Sequence, residues 1–94
     1  MMMEDFSIAY RIHALERMFE RNVTCDELTV IIKKGELVEN YPNNIPYPSK
    51  LVLGKANNRP LHVVFTFNEA EKSVVVVTVY EPDPRKWERN RLRR

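Results

Sequence analysis

Cysteine and glycine are both scarce in this 94-residue chain, and each scarcity closes off a class of chemistry. Cys25 is the single cysteine. It can form no internal disulfide and no cysteine-based zinc site, so a reducing compartment is expected. With only two glycines, the chain has no glycine-rich loop to cradle a nucleotide phosphate. Long apolar runs are missing as well. The longest, VVVV at residues 74–77, is far short of a membrane span of about 20 residues. The start, MMMEDF, shows no basic segment leading into an apolar one, so no signal peptide is expected. The two histidines, His13 and His62, have no evident third ligand, so neither a metal nor another cofactor is expected. Together these absences predict a cytoplasmic protein without membrane contact.

What is present suits a globular domain. Hydrophobic residues make up 44% and charged residues 30% of the chain, enough for one core over residues 1–94 and too little for two. The net charge of +2 is unevenly spread. Residues 85–94, RKWERNRLRR, hold six basic residues against one acid, so the rest of the chain is net acidic. A basic tail suits a nucleic acid or an acidic partner, or simply a solvated terminus.

Hydrophobic spacing orders the elements. Over residues 8–22, Ile12, Ala14, Leu15, Met18 and Phe19 share one broad helical face, while His13, Arg17 and Arg21 form a slanted stripe beside it. A second helix starts at Thr24, because Thr24 and Glu27 have the spacing of a capping box. Cys25, Leu28, Ile31 and Ile32 then form its buried face, Lys33 and Lys34 suit its C-terminal dipole, and Gly35 suits a left-handed cap. Strands are expected at residues 36–41, 49–56, 61–67 and 72–80. The prolines of PNNIPYP at residues 42–48 separate the first two strands, and residues 68–71 make a hairpin between the last two. Asp83-Pro84 has the form of a helix start, with a short helix to about Leu92 and Trp87 as its anchor on the sheet. The expected fold is therefore α+β: a helical hairpin on one face of a four-stranded, mainly antiparallel sheet, in the order α-α-β-β-β-β, plus a short C-terminal helix.

Alternation then assigns faces. Leu61, Val63, Phe65 and Phe67 should meet the helices, so His62 points the other way. Pairing Phe65 with Val75 puts His62 opposite Thr78, and a two-residue slip puts it opposite Tyr80. Either register gathers His62, Thr78 and Tyr80 on the face away from the helices. Val75, Val77 and Val79 are expected on the helix side. His62 equally suits a structural histidine bonded to a nearby carbonyl, and Cys25 suits a buried, inert thiol.

Three segments together resemble a known family: HALERMFERNVTCDEL at residues 13–28, YPNNIPYPSKLVLG at 41–54, and RPLHVVFTF at 59–67 followed by VTVYEPDPRKW at 77–87. The chain resembles the small bacterial and archaeal domain of unknown function 4258. That family is similar in its helix-helix-sheet layout to RelE/ParE-type toxins. The resemblance implies a toxin of a toxin–antitoxin pair that cleaves mRNA without metal, with an antitoxin protein as partner and RNA or the ribosome as target. Such chemistry needs a base, an acid and cations about the phosphate. The residues that fit are His62, Tyr80 and His13 as catalytic groups, with Arg17, Arg59, Arg85, Lys86 and Arg89 as substrate-binding cations. The competing expectation is a non-catalytic, toxin-like module that binds a partner protein or nucleic acid.

Overall fold

A computed structural model describes residues 6–45 and 47–93; the first five residues, Pro46 of the proline loop and Arg94 of the basic tail lie outside the described residues. The first element is a strand, β1 (Ser7–Tyr10), where the helical spacing predicted the opening turn of a helix. Phe6, Ile8 and Tyr10 alternate and pack against the core, a period of two that overrides the helical pattern. The first helix, α1 (Ile12–Glu20), is therefore shorter than predicted. It buries only Ala14 and Met18, four residues apart, while Ile12, Leu15 and Phe19 face outward.

The second helix, α2 (Cys25–Lys34), begins as the sequence implied. The Thr24 side chain accepts from the Glu27 amide at 3.1 Å, and the Glu27 carboxylate accepts from the Thr24 amide at 2.9 Å. Leu28, Ile31 and Ile32 are buried, but Cys25 in the first turn is exposed and not part of the core. Gly35 has φ −66°, so it ends the helix in an extended conformation and not in a left-handed one. Its need is steric: a Cβ there would lie 2.4 Å from the Ile31 carbonyl oxygen and 2.9 Å from that of Leu53.

Four further strands follow: β2 (Glu36–Tyr41), β3 (Ser49–Ala56), β4 (Arg59–Asn68) and β5 (Ser73–Tyr80). With β1 they form a five-stranded sheet in the order β1-β5-β4-β3-β2, antiparallel except for β1, which runs parallel to β5. The four-stranded expectation missed this added edge. Asn57 and Asn58, both at positive φ, turn β3 into β4. Gly54 on β3 lets α2 approach, since a Cβ there would lie 2.6 Å from the Ile31 side chain.

Both helices cover one face. Leu61, Val63 and Phe65 of β4 join Val74, Val76 and Val79 of β5 beneath Ala14, Met18, Leu28, Ile31 and Ile32. The β5 residues differ from the predicted set because a bulge interrupts the β4–β5 ladder. Val63 pairs with Val79 and Val64 with Thr78, but Phe65 pairs with Val76, so Val77 is the extra residue. One inserted residue reverses the alternation beyond it.

The predicted C-terminal helix does not form. The Asp83 carboxylate accepts from the Arg85 amide at 2.9 Å, and the Asp83 carbonyl accepts from the Lys86 and Trp87 amides. This is one helical turn that goes no further. The chain then makes a small hairpin of β6 (Trp87–Glu88) and β7 (Leu92–Arg93), with Arg89 and Asn90 at positive φ in the turn. A hairpin carries the Trp87 ring, 4% exposed, down onto the sheet face opposite the helices.

Candidate functional site

That second face holds the histidine singled out by the sequence. His62 of β4 pairs directly with Tyr80 of β5, the slipped register of the two considered. Its own neighbours on the face are Leu53, paired with it on β3, and Leu51. The hairpin closes over it, and His62 has no exposed surface.

Both ring nitrogens are engaged. Nε2 lies 2.7 Å from the Asn90 carbonyl oxygen, and Nδ1 lies 3.2 Å from the Tyr80 hydroxyl. A carbonyl only accepts, so Nε2 carries the hydrogen. Nδ1 is then the acceptor and the Tyr80 hydroxyl donates to it. The Trp87 ring stands edge-on to the imidazole at 4.5 Å, and Tyr80 lies edge-on at 5.2 Å. Burial pushes the His62 pKa below 6.5, opposed by the bond to Asn90 and by the Glu39 carboxylate. Burial also raises the Tyr80 hydroxyl above its ordinary value, so that group stays protonated at neutral pH.

A charged rim surrounds this pocket, and sequence reasoning did not find it. Arg93 donates to Glu39 through two guanidinium nitrogens at 2.9 and 3.0 Å and stacks over Trp87 at 4.5 Å. Tyr41 donates to the same carboxylate. Arg91 donates to Glu36 at 2.7 Å. The Arg93 fork is the main reason that the Glu39 pKa lies below the usual carboxylate value. The available signal was spacing: Arg91 and Arg93 alternate on the tail, and Glu36 and Glu39 lie on the first strand after the helices.

The other expected site residues are dispersed. His13 lies exposed on α1, on the far side of the sheet from His62. Arg17 is exposed on the same helix, 3.6 Å from Glu20. Arg59 is not beside the His62 ring, because strand alternation sends it to the helix side. There its guanidinium donates to the Arg21 carbonyl and lies 3.4 Å from Glu81. Arg85 folds back onto Asp83 at 3.1 Å, and Lys86 and Arg89 are exposed in the hairpin segment. His62 and Tyr80 are thus the only pair that the fold unites among the expected catalytic groups. Among the described residues no cluster of three or more His, Cys, Asp or Glu side chains suits a metal ion.

The fold and this face define an α+β domain in which two helices close one side of a sheet and a C-terminal hairpin closes part of the other. The sequence profile of DUF4258, a domain of unknown function, matches residues 10–81, and the chain belongs to that family. No curated protein and no solved structure matched the chain. No helix among the described residues is long and apolar enough to cross a membrane.

Proposed function

We propose that this chain is a toxin-like interaction domain of RelE/ParE-like layout, one member of a cytoplasmic toxin–antitoxin pair, acting by binding a partner and not by cutting RNA with His62. One observation supports this reading above others: His62 is fully buried with both ring nitrogens bonded inside the protein. RNA cleavage needs a base within hydrogen-bond reach of the 2′-hydroxyl. Beneath the closed hairpin His62 reaches no outside group, and His13 stands across the sheet. On this reading His62 and Tyr80 hold the hairpin in place.

Incubating purified protein with RNA, with and without ribosomes and without added metal, tests the proposal. No cleavage is expected. His62→Gln should lower stability by about 1–3 kcal/mol, because the Asn90 carbonyl or the Tyr80 hydroxyl loses a buried partner. Cleavage by the wild type that disappears in a folded His62→Gln protein would refute the proposal.

One feature favours a second reading, a ribonuclease gated by its own hairpin. The His62–Tyr80 pair is covered by residues 87–93, whose ionic ties to β2 are the partly exposed pairs Arg91–Glu36 and Arg93–Glu39. Such pairs are weak in water. Swung aside, the hairpin would uncover His62 as the base and Tyr80 as a proton donor, with Arg85, Lys86 and Arg89 placed to follow RNA phosphates. A doubly substituted protein, Arg91→Glu with Arg93→Glu, loosens that closure. RNA cleavage gained by this protein would favour the gated enzyme, and none gained would favour the interaction domain.

A further inference from the structure

The outer face of α1 carries three large apolar side chains that the fold leaves bare. Ile12 is 76%, Leu15 44% and Phe19 87% exposed. At positions i, i+3 and i+7 they lie on one side of the helix. Together they present on the order of 400 Å² of apolar surface, as large as the main patch on many monomers and often an interaction site.

Two features select what covers them. The first is size. A stable pair of globular surfaces needs about 800 Å² from each partner, so this face suits a short segment better than a second globular body. The second is the shallow depression lined by Leu15, Glu16, Phe19 and Glu20. It has an apolar floor and an acidic rim. Glu16 makes no ion pair among the described residues, while Glu20 lies 3.6 Å from Arg17 and 3.8 Å from Arg21. An arginine fits such a site, with its stem on Leu15, its guanidinium over the Phe19 ring and its charge against Glu16. A two-fold antiparallel pairing of α1 with its own copy would instead set Glu16 and Glu20 against themselves, and like charges at close range repel.

We infer that the Ile12–Leu15–Phe19 face of α1 is the docking surface for a short amphipathic helix of a partner protein, one that carries arginine or lysine at the edge of its apolar face. Helices recognised this way present anchors at the same i, i+3, i+7 spacing. The inference rests on the reading of the chain as an interaction domain.

The probes are two designed amphipathic helices of about 15 residues with the same leucine face, one edged with arginine and one with glutamate. Each is labelled and titrated with the full chain, and binding is read by fluorescence anisotropy. The arginine-edged helix should bind at least about tenfold more tightly. Phe19→Ser should abolish binding without moving the melting temperature, since Phe19 is 87% exposed. Glu16→Arg should shift preference toward the glutamate-edged helix. Equal affinity for both helices, binding indifferent to Phe19→Ser, or sedimentation showing that the wild type pairs with itself through this face would each overturn the inference. His62-dependent RNA cleavage would sink the interaction-domain reading while leaving the peptide result standing, so the two failures are distinguishable.

Discussion

The two faces of the sheet are made from the same strands and are stabilised in different ways. Beneath the helices, Val63, Phe65, Val74, Val76 and Val79 meet Leu28, Ile31 and Ile32, and almost every contact is apolar. Beneath the hairpin, buried Leu51, Leu53 and Trp87 surround a buried histidine, and the rim is closed by arginine–glutamate pairs. The covers differ as much as the floors: helices of nine and ten residues on one side, two strands of two residues each on the other. Apolar burial is non-directional and scales with area, so the helix side is held by its area and not by any one bond. A small cover buries little area and depends on directional bonds at Asn90, Tyr80 and Glu39. The hairpin face is therefore the one expected to open first.

Phe65→Ala tests the helix side and should have the largest effect, about 3–5 kcal/mol, read as a lower denaturant midpoint for the whole protein. A loss confined to the hairpin would contradict the comparison. His62→Ala tests the other side and should cost about 2–3 kcal/mol, since it leaves a cavity and takes the partner from the half-buried Tyr80 hydroxyl and Asn90 carbonyl. Amides of residues 87–93 should exchange faster in this variant, while those of β4 and β5 stay protected.

The pH dependence sharpens the contrast. The folded His62 pKa lies below its ordinary 6.5, so the unfolded chain binds the proton more readily. Its contribution is fully present above about pH 6.5 and is lost as pH falls through the folded value. Glu39, also lowered, adds its own loss in more acid solution. Stability measured from pH 7.5 to 5 should decline in the wild type and decline less in His62→Gln. Equal slopes would remove His62 as the cause.

Thr24→Ala removes the capping box on the helix side and should cost about 1 kcal/mol by denaturant titration, with hairpin exchange unchanged. Arg93→Ala should have the smallest global effect. It should speed exchange at residues 87–93 and lessen their salt sensitivity, because an exposed pair is screened.

Much of this was legible in local pattern. The capping box, the proline break before β3 and the four strands β2 to β5 were read from neighbours in sequence, and so they held. His62 and Tyr80 were placed on the far face by alternation alone. Trp87 was read correctly as an anchor, although its helix was not. The failures share one cause. β1 was hidden because Ile8 and Tyr10 fit a helical face as well as a strand until β5 offered an edge to pair with. The bulge at Val77 inverted a face assignment that counting by twos could not correct. Arg59 was judged by its place in the sequence near His62, although strand parity sends the two to opposite faces.

The sequence by itself determined where α2 starts and where the chain breaks between β2, β3, β4 and β5, since a capping box, prolines and turns act over a few residues. Tertiary structure alone decided that His62 is covered and that its ring nitrogen meets a carbonyl 28 residues away. It also decided that Phe19 is bare while Ala14 is buried. Burial is a property of which segments come to lie over one another, and periodicity names a face without naming what covers it.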